Sequence, residues 1–325
     1  MPMLDDLQIA REVQGAVGRA KFHNPDLTAR GETRARVAFD GYKTLWFNTG
    51  TLCNLTCHNC YIESSPRNDR LVYLSRADVR TFLDEADSFS DRPAELGFTG
   101  GEPFMNPEFM DILEDSLSRG YRVLVLTNAM RPMQRFKARL AQLNQKFPGL
   151  LSVRVSLDHF AQSGHEDLRG ARSWKPTIDG LTWLAANGFD ISVAGRTVWD
   201  MSDAEMRAGY ARLFHGLQLN LDAQDGAKLV LFPEMHEQED VPEISEGCWA
   251  KLGVNPSDLM CSNSRMVVRR KGSERASVVA CTLLPYEDAF ELGTSLDGAR
   301  GSVSLNHRHC ARFCVLGGAS CSAVK

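Results

Sequence analysis

Short apolar runs recur along the first two thirds of the chain, each followed by a stretch with helical spacing. LWFNTG (45–50), ELGFTG (95–100), RVLVLT (122–127), SVRVSL (152–157), DISVAG (190–195) and KLVLF (228–232) read as strands. Helices are expected at 76–88, 131–146, 175–187 and 203–216, with a further one at 5–19. Ser75 and Asp78 are spaced as a capping box for the helix at 76–88. A helix from Pro107 to about Arg119 carries fuller punctuation. Asn106 suits its cap, Pro107 its first position and Gly120 its stop, while Phe109, Ile112, Leu113 and Leu117 share one face. Six strands alternating with helices predict parallel strands joined by crossover helices, with functional groups at the strand C-terminal ends. Six units fall short of a closed eight-stranded barrel. The expected fold is α/β, an open partial (β/α)6 barrel.

The pattern changes after about residue 240. SRMVVRRKG (264–272) and SVVACTLL (277–284) read as a β-hairpin with Gly272 at its turn, and the remainder is rich in glycine and cysteine. The expected domains are a helical lead-in (1–44), the barrel (45–240) and a small C-terminal Cys-rich hairpin domain (241–325), the last held by metal rather than by a large core.

Composition narrows the class. The 325 residues are 43% hydrophobic and carry a net charge of −4, so no basic excess points to nucleic acid. No apolar run reaches the length of a membrane span, and the polar N-terminus does not read as a signal peptide. A cytoplasmic protein with no membrane partner is expected. The chain has nine cysteines, an odd number, and without a signal peptide metal ligation is a better reading than a disulfide framework.

TGTLCNLTCHNCYIESSP (49–66) spaces Cys53, Cys57 and Cys60 as C-x3-C-x2-C in the loop after the first strand. Three thiolates leave one iron of a four-iron cluster without a protein ligand. A structural zinc would need a fourth ligand such as His58 or His23, and the spacing matches common zinc motifs poorly. FTGGEP (98–103) ends the second strand, where glycines let the backbone approach a ligand and a carboxylate can hold a cation.

With these features, residues 45–235 resemble the radical S-adenosylmethionine (SAM) superfamily. The resemblance implies a 4Fe-4S cluster on Cys53, Cys57 and Cys60, with its fourth iron chelated by the amino and carboxylate groups of SAM. Reductive cleavage of SAM then yields a 5′-deoxyadenosyl radical that takes hydrogen from a substrate. The resemblance also implies that Gly100, Gly101 and Glu102 meet the SAM ammonium and that Tyr61 lies toward the adenine. Thr127 and Asn128 match the family's Thr-Asn at the end of the third strand. Ser156 and Asp158 end the fourth, where family members contact the ribose, and Arg196 ends the fifth, suited to the SAM carboxylate. Asn59 departs from the aromatic residue often found before the last cysteine.

Six further cysteines fall in the last 78 residues: 248, 261, 281, 310, 314 and 321. Cys261 and Cys281 flank the predicted hairpin, and Cys310, Cys314 and Cys321 follow. The arrangement resembles a twitch domain, the shortened SPASM domain, which implies an auxiliary 4Fe-4S cluster. The expected ligands are Cys261, Cys281, Cys310 and Cys314, with Cys321 as a replacement and Cys248 as a spare thiol. Structural zinc and unligated thiols stay open as alternatives. His307 and His309 stand beside Cys310 as ligands, proton acceptors or surface groups.

The expected activity is that of an oxygen-sensitive radical SAM enzyme acting on a small molecule by oxidation or rearrangement. The auxiliary cluster would accept an electron or anchor substrate. A flavodoxin or ferredoxin with its reductase would supply electrons. About 44 residues before the barrel are too few for the usual leader-peptide-binding domain, which favours the small molecule. The alternative is a maturase that modifies peptide or protein side chains. A non-catalytic electron-transfer protein would need no GGEP. Asp158, His159, Glu234 and His236 are candidate substrate residues.

Overall fold

The computed structural model describes residues 21–234 and 240–317. The six expected strands are present as β2 (Thr44–Asn48), β3 (Glu95–Thr99), β4 (Arg122–Thr127), β5 (Leu151–Ser156), β6 (Asp190–Thr197) and β7 (Leu229–Pro233). Each pairs in parallel with its neighbour in chain order. Apolar runs this continuous are what a sheet covered on both faces requires. Alternate residues serve the two faces. Leu45, Phe47, Phe98, Val125, Val153 and Val193 pack in the layer beneath the helices, while Trp46, Leu124 and Met266 form a separate inner cluster. Gly97 belongs to that inner arrangement: a Cβ there would lie 2.4 Å from the Trp46 indole. The strands end together, so the loops after β2 to β7 converge on one rim.

The helix Arg76–Asp87 starts with the expected box: the Ser75 side chain accepts from the Asp78 amide and the Asp78 side chain from the Ser75 amide. The next helix begins at Phe109 rather than Pro107, after a turn at 107–108 that follows Asn106. Its side-chain NH2 donates to the Thr49 and Leu74 carbonyls, and its Oδ1 accepts from the Glu108 amide. The expected helix at 131–146 is two, Arg131–Gln134 and Lys137–Lys146. A helix at Gln162–Arg169 escaped the sequence reading because Ser163, Gly164 and His165 are poor helix formers. The expected helices at 175–187 and 203–216 are found at Trp174–Ala186 and Asp203–Gly216. The lead-in helix expected at 5–19 lies outside the described residues.

The hairpin is shorter than expected, β8 (Ser264–Val268) and β9 (Ser277–Val279), and it extends the barrel sheet. β8 lies parallel to β2 and β9 antiparallel to β8, giving the order β7-β6-β5-β4-β3-β2-β8-β9. A two-residue strand β1 (Arg36–Val37) pairs with β10 (Val303–Ser304) across the far side of the chain. Residues after 240 carry more apolar core than the sequence suggested. Ile244, Phe290, Leu305 and Phe313 bury against Ala35, Val37, Ala194 and Phe232. No helix among the described residues is long and apolar enough to cross a membrane.

Candidate active site

The rim above β2 to β6 opens onto a cavity of about 180 Å³ lined by Cys53, Cys57 and Cys60. Gly100, Gly101, Thr127, Asn128, Ser156, Asp158, Arg196 and Tyr61 line it too, so the residues expected around one ligand share one space, except Glu102, which is buried behind the lining. The cysteine loop is laid against the end of β3 by backbone bonds. Gly101 N donates to Gly50 O at 2.8 Å and Glu102 N to Leu52 O at 3.2 Å. A Cβ on Gly100 would stand 2.5 Å from Gly50 O, and one on Gly101 2.2 Å from Leu52 O. Both glycines are therefore needed to admit the cysteine loop itself, whatever ligand approaches from the other side.

Glu102 is buried and already hydrogen-bonded. Its carboxyl accepts from Thr127 Oγ1 at 2.8 Å, the Asn128 amide at 2.9 Å and the Phe104 amide at 3.3 Å. Burial pushes its pKa up to about 7 against the pull of those donors. The Asn128 side chain reaches on to Asn54 Oδ1 at 2.9 Å, tying the third strand's end to the cysteine loop. Burial likewise raises Cys57 and pushes Cys53 up to about 12. Metal must displace protons from these thiols.

The charged residues are distributed differently from the sequence expectation. Arg196 is one of two guanidiniums on the wall, and its charge is balanced by Glu234. Arg169, which the sequence reading missed, is the other. Asp158 grips it with two bonds, 2.7 Å to Nε and 3.1 Å to Nη2. Burial opposes its charge, but the Asp158 carboxylate holds it firmly protonated. Of the candidate substrate residues, Asp158 is thus taken up by Arg169 and Glu234 by Arg196. His159 is stacked between Phe160 and Trp199, with Nδ1 accepting from the Ala161 amide at 3.0 Å. His236 lies outside the described residues. Tyr61, Phe232 and Phe313 meet edge-on or stacked and make an aromatic wall.

The walls fit a cluster with a polar organic ligand. Three thiols share one side, and Ser64 Oγ and Arg196 Nε lie buried on the lining without a protein hydrogen-bond partner. A second, smaller cavity is lined by Cys261, Cys281, Cys310 and Cys314, with His309 beside them. Burial pushes Cys261 up to about 11 and raises Cys310, which also feels Cys281 and Cys261. Cys310 and Cys314 sit on one π-helical turn, Cys310–Val315. Cys248 lies elsewhere, with its thiol near the Ser245 amide at 3.4 Å, and Cys321 lies outside the described residues. Among the described residues no three His, Cys, Asp or Glu side chains are close enough to share one metal ion.

Comparison with known proteins places this arrangement. The profile of the Radical SAM superfamily matches residues 47–212. The antilisterial bacteriocin subtilosin biosynthesis protein AlbA of Bacillus subtilis (strain 168) is 29% identical over 157 residues, 46% of this chain and 33% of that protein. The mycofactocin maturase MftC of Mycobacterium ulcerans (strain Agy99) is 29% identical over 137 residues, 42% of this chain and 35% of that one. The matched stretch thus covers about a third of the length of these curated relatives. Streptococcus suis SuiB bound to S-adenosylmethionine shares the fold, with TM-score 0.57, 12% identity and coverage of 89% of this chain and 68% of that one.

Proposed function

The chain belongs to the radical SAM superfamily, and on that premise we propose that it is a maturase that abstracts hydrogen from a side chain of a peptide. The observation that carries the proposal is the meeting of Cys53, Cys57 and Cys60 with the GGEP end of β3 around one cavity. When bound, the cluster and SAM supply a one-electron reductive cleavage that delivers a 5′-deoxyadenosyl radical to the substrate. The protein's part is to hold both. Cys53, Cys57 and Cys60 ligate three irons. The end of β3, with Glu102 fixed by Thr127 and Asn128, receives the SAM ammonium. Arg169, fixed by Asp158, offers the SAM carboxylate its charge, a role the sequence reading gave to Arg196. Ser156 faces the ribose, and Tyr61 with Phe232 and Phe313 excludes water from the apolar side.

A peptide substrate is supported by the relatives, a bacteriocin biosynthesis protein and a maturase, more than the small molecule expected from the sequence. We assign Cys261, Cys281, Cys310 and Cys314 to an auxiliary 4Fe-4S cluster. Four thiols around one cavity, on segments that flank and follow the β8–β9 hairpin, support this reading. Residues 241–325 form the auxiliary-cluster domain in this reading, and a flavodoxin or ferredoxin supplies the electron.

Anaerobically reconstituted protein with reductant and SAM is expected to form 5′-deoxyadenosine, and Cys57→Ala to form none. Full activity in that variant would refute the central claim. Incubation with candidate precursor peptides deuterated at side-chain carbons, followed by mass spectrometry of the peptide and of 5′-deoxyadenosine, separates a peptide substrate from a small one.

A further inference from the structure

The cysteine loop leaves β2, yet its far end is held four and five strands away, at the ends of β6 and β7. The sheet is open, with β7 at one edge and no pairing between β7 and β2. Across that opening, Arg196 at the end of β6 donates from Nη1 to His58 O at 3.0 Å and from Nη2 to Asn59 O at 3.2 Å. The same Nη2 pairs with Glu234, just past β7. Glu234 in turn accepts from the Asn59 side chain at 2.8 Å. Asn59 adopts the left-handed conformation, φ +49°, which directs its carbonyl and its side chain to this pair. Tyr61, one residue past Cys60, donates its hydroxyl to Pro233 O at 3.0 Å and lays its ring 5.0 Å from the Arg196 guanidinium. Arg196 and Glu234 are both buried, so these bonds are shielded from water.

From this geometry we propose that Arg196 and Glu234 form a clasp that fixes the Cys57–Cys60 turn before metal arrives and keeps the third cysteine on the cavity. Two consecutive carbonyls and a carboxylate meet one guanidinium, a fork that lysine cannot reproduce, and the same carboxylate also accepts from the Asn59 side-chain amide. The clasp closes the mouth of the open barrel with side chains where a closed barrel would use strand pairing. Arg196 and Glu234 are positioning residues in this account. The proposal rests on the reading of Cys53, Cys57 and Cys60 as cluster ligands, and its test has one arm that does not.

The iron-free protein and its Arg196→Lys and Arg196→Met/Glu234→Gln variants are compared by hydrogen–deuterium exchange. The double variant removes both charges together and leaves none buried alone. Exchange in the segment 57–63 is expected to rise at least tenfold in both variants, with β2 to β5 unchanged. In reconstituted, reduced protein, the EPR signal that responds to SAM is expected to vanish at least tenfold faster under a ferrous chelator. Wild-type exchange together with wild-type iron retention overturns the clasp. If the wild type gives no SAM-responsive signal, the proposed function fails, and exchange alone still judges the clasp. Should the double variant not fold, Arg196→Lys, which keeps the charge beside Glu234, decides.

Discussion

Gly101→Ala tests whether the GGEP glycines serve the cysteine loop. The new methyl carbon would stand 2.2 Å from Leu52 O, 2.6 Å from Leu52 C and 2.8 Å from Thr51 O. All three are backbone atoms, so no side chain can rotate away. The segment ahead of Cys53 must retreat by about 1 Å to reach ordinary contact. Overpacking of this kind costs about 1–3 kcal/mol. The retreat also breaks the bonds from Gly101 N to Gly50 O and from Glu102 N to Leu52 O, at about 1 kcal/mol each. The sum is about 3–5 kcal/mol, a large share of an ordinary domain's stability. Gly120→Ala is the control: its φ is +78° and a Cβ there meets nothing within 4 Å, so only backbone strain remains. That strain is about 1–2 kcal/mol. Urea unfolding of iron-free protein gives the stability loss, and iron content after reconstitution reports on the loop. Gly101→Ala is expected to lower the urea midpoint more than Gly120→Ala and to lose iron, while Gly120→Ala keeps it. A Gly101→Ala protein with wild-type iron and a midpoint no lower than the control's would refute the packing argument.

Other outcomes follow from the same contacts. Asp158→Asn leaves the partly buried Arg169 charge without its partner and is expected to cost about 1.5–3 kcal/mol, read as a lower urea midpoint; an unchanged midpoint contradicts a closed pair. Glu102 has a folded pKa of about 7, above the ordinary carboxylate range, so the folded iron-free protein binds this proton more tightly than the unfolded chain does. Its contribution is present below the unfolded pKa and lost as pH rises to about 7, by on the order of 3 kcal/mol. Glu102→Gln should flatten that fall in pH-dependent unfolding, and an identical profile would contradict it. Cys310→Ala is expected to halve the iron content from about eight to about four per chain while leaving the SAM-responsive EPR signal in place. Retention of all the iron would exclude Cys310 as a ligand.

The order and parallel pairing of β2 to β7 were legible in the sequence because both signals are local. Six apolar runs at regular spacing admit few other sheets, and C-x3-C-x2-C followed by GGEP one strand later marks the ligand side of that sheet. Helix boundaries were legible where a side chain caps its own helix, as Ser75 does. They drifted at Asn106, whose Oδ1 accepts from the Glu108 amide in a turn ahead of the helix rather than in its first turn. Convergence of Cys261, Cys281, Cys310 and Cys314 on one cavity was expected from the resemblance to a twitch domain, in which one pair flanks the hairpin and a close pair follows it. The joining of that hairpin to β2 was not, because an edge pairing some 220 residues apart leaves no local trace.

The partners of charged groups were decided by tertiary structure alone. Sequence offered Arg196 to the SAM carboxylate and Asp158 and Glu234 to substrate, with no partner of their own, since a residue's neighbours across a barrel mouth are not its neighbours in the chain. Folding gave Asp158 to Arg169, on a helix whose residues predict it poorly, and gave Glu234 to Arg196. Sequence thus determined which residues carry the chemistry of the cysteine site. The closing of the barrel mouth determined which charges remain available to a ligand, because a buried charge is held by whatever opposite charge the fold brings within bonding distance.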